Sequence, residues 1–172
     1  FVILALVIKL DSEGPIFFRQ SRLGRDKKEF YILKFRTMKQ DTPANIPTHQ
    51  LRDAKQYLTR SGKWLRKMSL DELPQLVNIL KGDMSFIGPR PALWNQEDLL
   101  QERERYGANN VPVGLSGWAQ VNGRDTLSMK EKAKLDGEYA AKQSFFFDCK
   151  CLVGTICCVL KQEGILEGSS ES

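Results

Sequence analysis

Residues 69–91, which read SLDELPQLVNILKGDMSFIGPRP, carry the clearest pattern in the chain. Four apolar side chains recur there at the spacing of one helical face, at Leu73, Leu76, Val77 and Leu80. Gly82 follows Lys81 and is the residue type that most often ends a helix. Prolines on both sides of Arg90 restrict the backbone of the loop that comes next. The stretch therefore predicts an amphipathic helix followed by a stiff loop that presents one arginine.

The acidic pair Asp71-Glu72 lies at the start of this predicted helix, and two roles are open for it. In a structural role, Ser69 and Glu72 form a capping box, or Asp71 is the N-cap and Pro74 lies in the first turn. In a chemical role, the dipole and free N–H groups of the helix start keep a carboxylate ionised, as a nucleophile must be. The chain has one histidine, His49, which excludes Ser–His–Asp hydrolases and HExxH metalloproteases.

Basic residues flank the acidic pair in several segments of the sequence. The candidate phosphate ligands are Lys34, Arg36, Arg66, Arg90 and Arg124. The planar, permanently charged guanidinium group of arginine suits phosphate oxygens. Carboxylates among such cations indicate a phosphoryl-transfer site in which Asp71 and Glu72 bind a divalent metal that bridges to the phosphate.

The remaining segments predict a mixed α/β fold with a small β-hairpin and several helices. Residues 16–18 and 30–33 are predicted strands joined by a polar loop. Helices are predicted over residues 51–67 (interrupted at Gly62), 94–105, 128–142 and 147–162. Residues 39–50 are a predicted loop, and residues 118–122, which lie between glycines, are a predicted short strand or turn.

The chain opens with eight apolar residues, FVILALVI, ahead of Lys9. This run is too short to span a bilayer, which takes ~20 residues. It also has neither the charged start nor the cleavage site of a signal peptide. Two interpretations remain open, a short core segment or the end of a longer hydrophobic helix.

Charge is distributed unevenly along the 172 residues. Residues 1–67 hold 15 basic and 6 acidic side chains, and residues 68–172 hold 11 and 15. The first half is therefore predicted either to meet an anionic partner or to carry a solvated basic face. Nucleic acid is disfavoured because the aromatic residues do not alternate with the basic ones as a stacking platform requires. The four cysteines, at 149, 151, 157 and 158, lack CxxC spacing and are predicted to be small buried hydrophobes.

Three motifs in order, KFRTM at 34–38, the stretch at 69–91 and GLSGWAQVNGRD at 114–125, are similar to those of a known family. The chain resembles, over residues 1–165, the bacterial sugar transferases, which are small monotopic phosphoglycosyl transferases. The resemblance implies transfer of sugar-1-phosphate from a UDP-sugar to polyprenyl (undecaprenyl) phosphate, with release of UMP. This reaction is the first membrane step of bacterial glycan assembly.

The resemblance also implies roles for individual residues. Asp71 would attack the sugar-side phosphorus and form a covalent phosphosugar intermediate, while Glu72 would bind Mg²⁺. The phosphate contacts carry over to Lys34, Arg66, Arg90 and Arg124, and a late acidic position of the family matches Asp148. Two other functions are weighed against this one: direct transfer in a ternary complex with Asp71 as the base, and a non-catalytic membrane adaptor.

Members of this family carry an N-terminal hydrophobic helix that enters one leaflet, kinks at a proline and leaves on the same side. By this resemblance residues 1–10 are the second half of a truncated anchoring helix, residues 11–165 the catalytic domain and residues 166–172 a tail. The implied location is the cytoplasmic face of the bacterial inner membrane, with the helices at the lipid surface. The basic stretch 51–67 either lies against lipid headgroups or packs on the core. Pro112-Val113 stands where many relatives have Arg-Pro, so one candidate phosphate ligand is missing.

Overall fold

A computed structural model of the chain describes residues 1–43 and 53–161. The helices are α1 (Val2–Asp11), α2 (Ala54–Tyr57), α3 (Arg60–Lys67), α4 (Gln75–Lys81), α5 (Glu97–Glu104), α6 (Trp118–Val121), α7 (Met129–Lys142) and α8 (Phe145–Lys161). The strands are β1 (Phe17–Leu23), β2 (Glu29–Phe35), β3 (Ser85–Ile87) and β4 (Gly114–Ser116). Most of the predicted loop 39–50, with His49, and the predicted tail 166–172 lie outside the described residues. The predicted mixed α/β class is confirmed by these elements.

The predicted hairpin is present, and its strands are longer than predicted. β1 and β2 pair antiparallel from Phe17 opposite Phe35 to Leu23 opposite Glu29. The connection is tight, because the Gly24 amide donates to the carbonyl of residue 28 over 2.8 Å. The predicted strands were too short because both strands carry polar and charged residues on their more exposed side. A run of apolar residues therefore marks only part of each strand.

The helix predicted from residues 69–91 is present as α4, but it begins later and packs differently than its apolar face suggests. Leu80 is 88% exposed and Val77 is 39% exposed, whereas the polar side chains Gln75 and Asn78 are buried. The Asn78 side chain explains this orientation: it accepts from the Leu33 amide over 3.0 Å and donates to the Tyr31 carbonyl over 2.8 Å. The helix therefore docks on β2 through an amide that satisfies the backbone of that strand.

The predicted helix over residues 51–67 divides at Thr59 rather than at Gly62. The Thr59 hydroxyl caps α3 by accepting from the Gly62 amide over 2.9 Å. Gly62 lies inside α3, where any larger side chain would collide with the Thr37 carbonyl. This close approach lets Leu65 of α3 pack with Ile8 of α1 in the first core cluster.

The second half of the chain is organised around a short parallel ribbon. Ser85 of β3 pairs with Gly114 of β4, and α5 lies in the connection between the two strands. The predicted strand or turn at 118–122 is instead the helix α6. The predicted helices 94–105, 128–142 and 147–162 correspond to α5, α7 and α8, and α7 begins with a capping box formed by Ser128 and Glu131.

The long helix α8 is covered on one side only. Cys151 is fully buried against Ile87 and Tyr139, while Cys149 and Cys157 are exposed. The prediction that the cysteines are buried hydrophobes is therefore wrong for these two, because they lie on the uncovered side. That side also exposes large apolar residues, at Phe145, Phe146, Leu152, Val153, Ile156 and Leu160.

The first helix, α1, has a similar division between covered and uncovered faces. Ile8 is buried with Phe35, and the exposed apolar residues of this segment are Phe1, Val2, Ile3, Leu6, Val7 and Leu10. Among the helices that the structure describes, none combines the length and the hydropathy needed to cross a bilayer.

Candidate active site

A cavity of about 550 Å³, here called the main cavity, lies between the hairpin, the 3-10 turn Leu70–Glu72, the Arg90 loop and α6. Its volume falls in the range of ~300–1,000 Å³ that is usual for small-molecule sites. Seven of the predicted site residues line it, namely Lys34, Arg36, Arg66, Asp71, Glu72, Arg90 and Arg124. The main cavity continues past them to α5 and α7, where Gln96 and Lys132 form part of its wall.

Glu72 is the centre of the charged cluster. Its Oε1 atom accepts from the Lys34 ammonium over 2.8 Å and from the Arg90 guanidinium over 2.6 Å. Burial alone would raise the pKa of Glu72, but Arg90 and Lys34 outweigh it and hold that pKa well below its usual range. Glu72 therefore remains a carboxylate at neutral pH, and it fixes two cations that come from distant parts of the chain.

The capping role proposed for the acidic pair is wrong. Ser69 adopts a left-handed backbone conformation, with φ of 54°, and makes no side-chain hydrogen bond to the turn. Pro74, rather than Asp71, occupies the N-cap position of α4. The reason is that residues 70–72 form a separate 3-10 turn, so neither acidic residue belongs to the first turn of α4.

Asp71 lines the main cavity beside Glu72, but its pKa is shifted in the opposite direction. Burial raises the pKa of Asp71 above its ordinary value of 3.8, and the neighbouring Glu72 charge adds to the increase. The positive charge of Lys34 acts against burial and moderates the change. A carboxylate with a raised pKa is a stronger nucleophile when ionised, because nucleophilicity increases with basicity.

Arg90 is positioned by its neighbours as well as by the prolines beside it. Its carbonyl accepts from the Arg103 guanidinium over 3.1 Å, and Arg103 is paired with Asp136 over 2.7 Å. On the other side, Arg22 of β1 donates to the Pro91 carbonyl over 3.0 Å. The Arg90 loop is therefore held between the hairpin and the α5–α7 pair.

Arg124 and Arg66 complete the cationic wall. Arg124 follows Gly123 in a left-handed conformation, with φ of 52°, at the start of the 3-10 turn Arg124–Thr126. Burial and the nearby Arg90 charge lower the pKa of Arg124 from its ordinary value of 12.5. A cation that is disfavoured by burial and by like charge gains most when an anion binds beside it.

Arg36 and Asp148, which were both predicted as site residues, have partners within the protein. Arg36 is nearly fully buried, and its guanidinium donates to the carbonyls of Ser12, over 2.8 Å, and Glu13. It forms part of the cavity wall but ties down the segment after α1. Asp148 does not line the main cavity; its carboxylate accepts from the Tyr139 hydroxyl over 2.8 Å near the start of α8. The structure thus does not bring Asp148 to the charged cluster.

Sequence reasoning missed several polar residues that line the main cavity, among them Arg22, Gln120 and Asp125. The Asp125 charge lies close enough to Arg90 to raise the pKa of that guanidinium, after the larger effect of Glu72. Gln120 and Asp125 lie within the motif at 114–125 and could have been selected from it. Arg22 carries no such signal, since only the hairpin register shows that it faces the Arg90 loop.

The carboxylates of this site suit a magnesium ion that is completed by a substrate. Among residues 1–43 and 53–161 no cluster of three or more His, Cys, Asp or Glu side chains is arranged to hold a metal. Mg²⁺, however, is commonly bound by one or two carboxylates together with substrate phosphates and water. Asp71 and Glu72 provide such a pair on the wall of the main cavity.

Comparison with known proteins agrees with these motifs. A family model described as bacterial sugar transferase matches residues 1–162. The chain is 43% identical over 161 residues to the uncharacterized sugar transferase EpsL of Bacillus subtilis, covering 92% of this chain and 77% of EpsL. It is 41% identical over 160 residues to the UDP-glucose:undecaprenyl-phosphate glucose-1-phosphate transferase of Escherichia coli, covering 89% of this chain and 34% of that protein.

A third relative is named for the transfer of a different sugar. The chain is 37% identical over 164 residues to the UDP-N-acetylgalactosamine-undecaprenyl-phosphate N-acetylgalactosaminephosphotransferase of Aeromonas hydrophila, covering 91% of this chain and 38% of that protein. The chain thus spans about three quarters of EpsL and little more than a third of the other two relatives. With a family model over nearly its whole length, the chain belongs to the bacterial sugar transferase family of enzymes.

Proposed function

We propose that this chain transfers a sugar phosphate from a UDP-sugar to undecaprenyl phosphate, releasing UMP, through a covalent intermediate on Asp71. The relatives from E. coli and A. hydrophila are named for transfer to undecaprenyl phosphate, and they support the reaction class. The observation that carries the proposal is the position of Asp71 on the wall of the main cavity, next to a Glu72 that is already neutralised by Lys34 and Arg90. The sugar is left open, because these two relatives are named for different sugars.

The first step would be an in-line displacement at phosphorus. A carboxylate oxygen of Asp71 attacks the sugar-side phosphorus, a new O–P bond forms, and the bond to the bridging oxygen breaks so that UMP leaves with that oxygen. In the second step a phosphate oxygen of the lipid attacks the same phosphorus. The Asp71–phosphorus bond then breaks, and the carboxylate is regenerated.

The cations of the main cavity would supply most of the catalysis. Phosphoryl transfer depends mainly on positioning and on stabilising the charge of the transferring group. Arg90 and Lys34 are fixed by Glu72 before any substrate binds, so little reorganisation is needed when the phosphates arrive. Arg66 and Arg124 line the same cavity and would contact the remaining phosphate oxygens. Mg²⁺ held by Glu72 and Asp71 would add further neutralisation of the pyrophosphate.

The exposed apolar faces of α1 and α8 support a membrane location for the reaction. Six large apolar side chains on each segment are at least two-fifths exposed, and patches of this kind mark protein or membrane contacts. A membrane contact agrees with a lipid-linked acceptor. Placement on the cytoplasmic face of the inner membrane stays a prediction, as do the re-entrant helix and the domain limits 1–10 and 11–165.

The covalent route is tested by trapping the intermediate. The protein in lipid nanodiscs is incubated with Mg²⁺ and a panel of labelled UDP-sugars but no acceptor. One UDP-sugar should then give stoichiometric UMP and a label on residue 71. Asp71→Asn should abolish both signals, whereas Asp98→Asn, an exposed aspartate on α5, should retain them.

The alternative, direct transfer with Asp71 as a base, predicts a different outcome. UMP would then be released only when undecaprenyl phosphate is present, and no label would remain on the protein. That result would contradict the covalent route while leaving the transferase activity intact. Turnover at the wild-type rate by Asp71→Asn would contradict both routes.

A further inference from the structure

A second cavity of about 180 Å³, here called the apolar crevice, adjoins the main cavity. The two share four wall residues, Glu72, Arg90, Gln120 and Arg124. The other walls of the crevice are mostly apolar and include Leu73, Phe86, Leu115, Val121, Leu152 and Val159. The crevice therefore has mostly apolar walls, and where it adjoins the main cavity it meets two guanidinium groups, one of them paired with the Glu72 carboxylate.

The outer rim of the crevice lies on the uncovered side of α8. Phe86 and Leu152 line the crevice and are each at least half exposed. The exposed side chains of Val153 and Ile156 belong to the same helix. An occupant that enters over this rim crosses an apolar surface, which favours a lipid over a water-soluble molecule.

The side chain of Gln120 is an independent sign of a ligand at the junction of the two cavities. Both of its amide atoms are buried, and neither has a hydrogen-bond partner among the described residues. A buried amide without partners is costly, so such groups usually serve a ligand or water. A phosphate oxygen placed between the two cavities would accept from the Gln120 amide.

We infer that the apolar crevice holds the first isoprene units of the polyprenyl phosphate acceptor, with its phosphate at Arg90, Arg124 and Gln120. This inference rests on the proposed function and deepens it. A lipid phosphate would place its hydrocarbon chain against the apolar walls and its phosphate at the guanidinium groups. A sugar nucleotide has no hydrocarbon chain to place against those walls. The volume is below the ~300 Å³ of ordinary small-molecule pockets, so it suits a short branched segment whose remainder stays in the bilayer.

Photocrosslinking tests the site without requiring turnover. A prenyl phosphate that carries a photoreactive group on its first isoprene units is irradiated with the protein in nanodiscs. Crosslinks are expected at Phe86, Leu152 and Val159, and they should be displaced by unlabelled undecaprenyl phosphate. Crosslinks confined to α1 would overturn the inference. Crosslinks at the crevice, together with no UMP release from any UDP-sugar, would sink the proposed reaction but not the lipid site.

A matched pair of valines on α8 tests the crevice by filling it. Val159→Trp places a large ring in the crevice, and Val153→Trp places the same ring on the uncovered side. Displacing one isoprene unit should raise the KM for the acceptor about tenfold or more in Val159→Trp alone. In the control variant Val153→Trp, UMP release in a single turnover without acceptor should match the wild type. Equal acceptor KM values for the two variants would overturn the inference.

Gln120→Leu provides a test that does not depend on tolerating a bulky ring. Because the Gln120 amide has no partner among the described residues, its removal should not lower the thermal midpoint of the free protein. Affinity for the acceptor should fall about fivefold or more, since one hydrogen bond to the phosphate is lost. Unchanged acceptor affinity, or a clearly lower thermal midpoint, would contradict the role given to Gln120.

Discussion

The buried ion pair between Arg103 and Asp136 is predicted to support both the fold and the Arg90 loop. The two side chains are 5% and 2% exposed; Nε of Arg103 donates to Oδ2 of Asp136 over 2.8 Å, and Nη2 lies 2.7 Å from the same oxygen. Arg103 also donates to the Arg90 carbonyl over 3.1 Å. Asp136→Asn keeps the shape of the side chain and removes its charge, so the variant leaves a buried guanidinium without a counterion.

The cost of this change can be estimated from the geometry. Breaking a buried pair by removing one partner costs about 3–5 kcal/mol of unfolding free energy. The lower end applies, because the asparagine oxygen still accepts a hydrogen bond and Arg103 keeps its bond to the Arg90 carbonyl. For a chain of this length, about 3 kcal/mol corresponds to a fall of roughly 6–12 °C in the thermal midpoint.

The assay is thermal unfolding followed by circular dichroism in one detergent for all variants. The control is Lys142→Gln, which breaks the exposed Lys142–Glu138 pair and should change the midpoint by no more than about 2 °C. UMP release by Asp136→Asn should also fall, since Arg103, which holds the Arg90 carbonyl, is no longer oriented by a buried counterion. A midpoint for Asp136→Asn within the range of the control would refute the reasoning.

Three further predictions concern the site and its frame. Because burial raises the pKa of Asp71, kcat/KM for UMP release should fall as pH is lowered through an acid limb above 3.8, and a limb at or below 3.8 would contradict this. Gly62→Ala should cost about 1–3 kcal/mol in unfolding because its methyl group meets a backbone carbonyl, whereas Lys63→Ala on the same helix should change stability by under about 0.5 kcal/mol. Arg36→Gln should mainly lower the thermal midpoint, whereas Arg90→Gln should mainly lower UDP-sugar turnover. If both variants mainly lost turnover, both arginines would bind substrate.

Elements with a local signal were predicted well from the sequence. The helices α7 and α8 and the position of the hairpin follow from periodicity and turn residues, which act within a few positions of the chain. The clustering of Asp71, Glu72 and the cations was likewise anticipated from motifs. What local patterns cannot show is which partner a side chain finds once the chain is folded.

Asn78 and Glu72 illustrate that limit. A helix with Leu80 on its apolar face is expected to bury that face, yet α4 docks through Asn78 because the edge of β2 needs hydrogen-bond partners. Glu72 was equally compatible with a cap, and its partner Lys34 lies 38 positions away. The contact of Asp148 is a similar case, since only the packing of α8 shows that its carboxylate meets the Tyr139 hydroxyl.

The division of roles between Asp71 and Glu72 follows from the short turn that carries them. In a 3-10 turn successive side chains diverge by about 120°, because three residues complete one turn. Glu72 reaches Lys34 and Arg90, while Asp71 lines the wall of the same cavity. In a regular helix that began at this pair, free amides would stabilise both carboxylates and lower both pKa values. In the proposed mechanism the turn would leave Glu72 as the group that fixes the cations and Asp71, whose pKa is raised by burial, as the nucleophile.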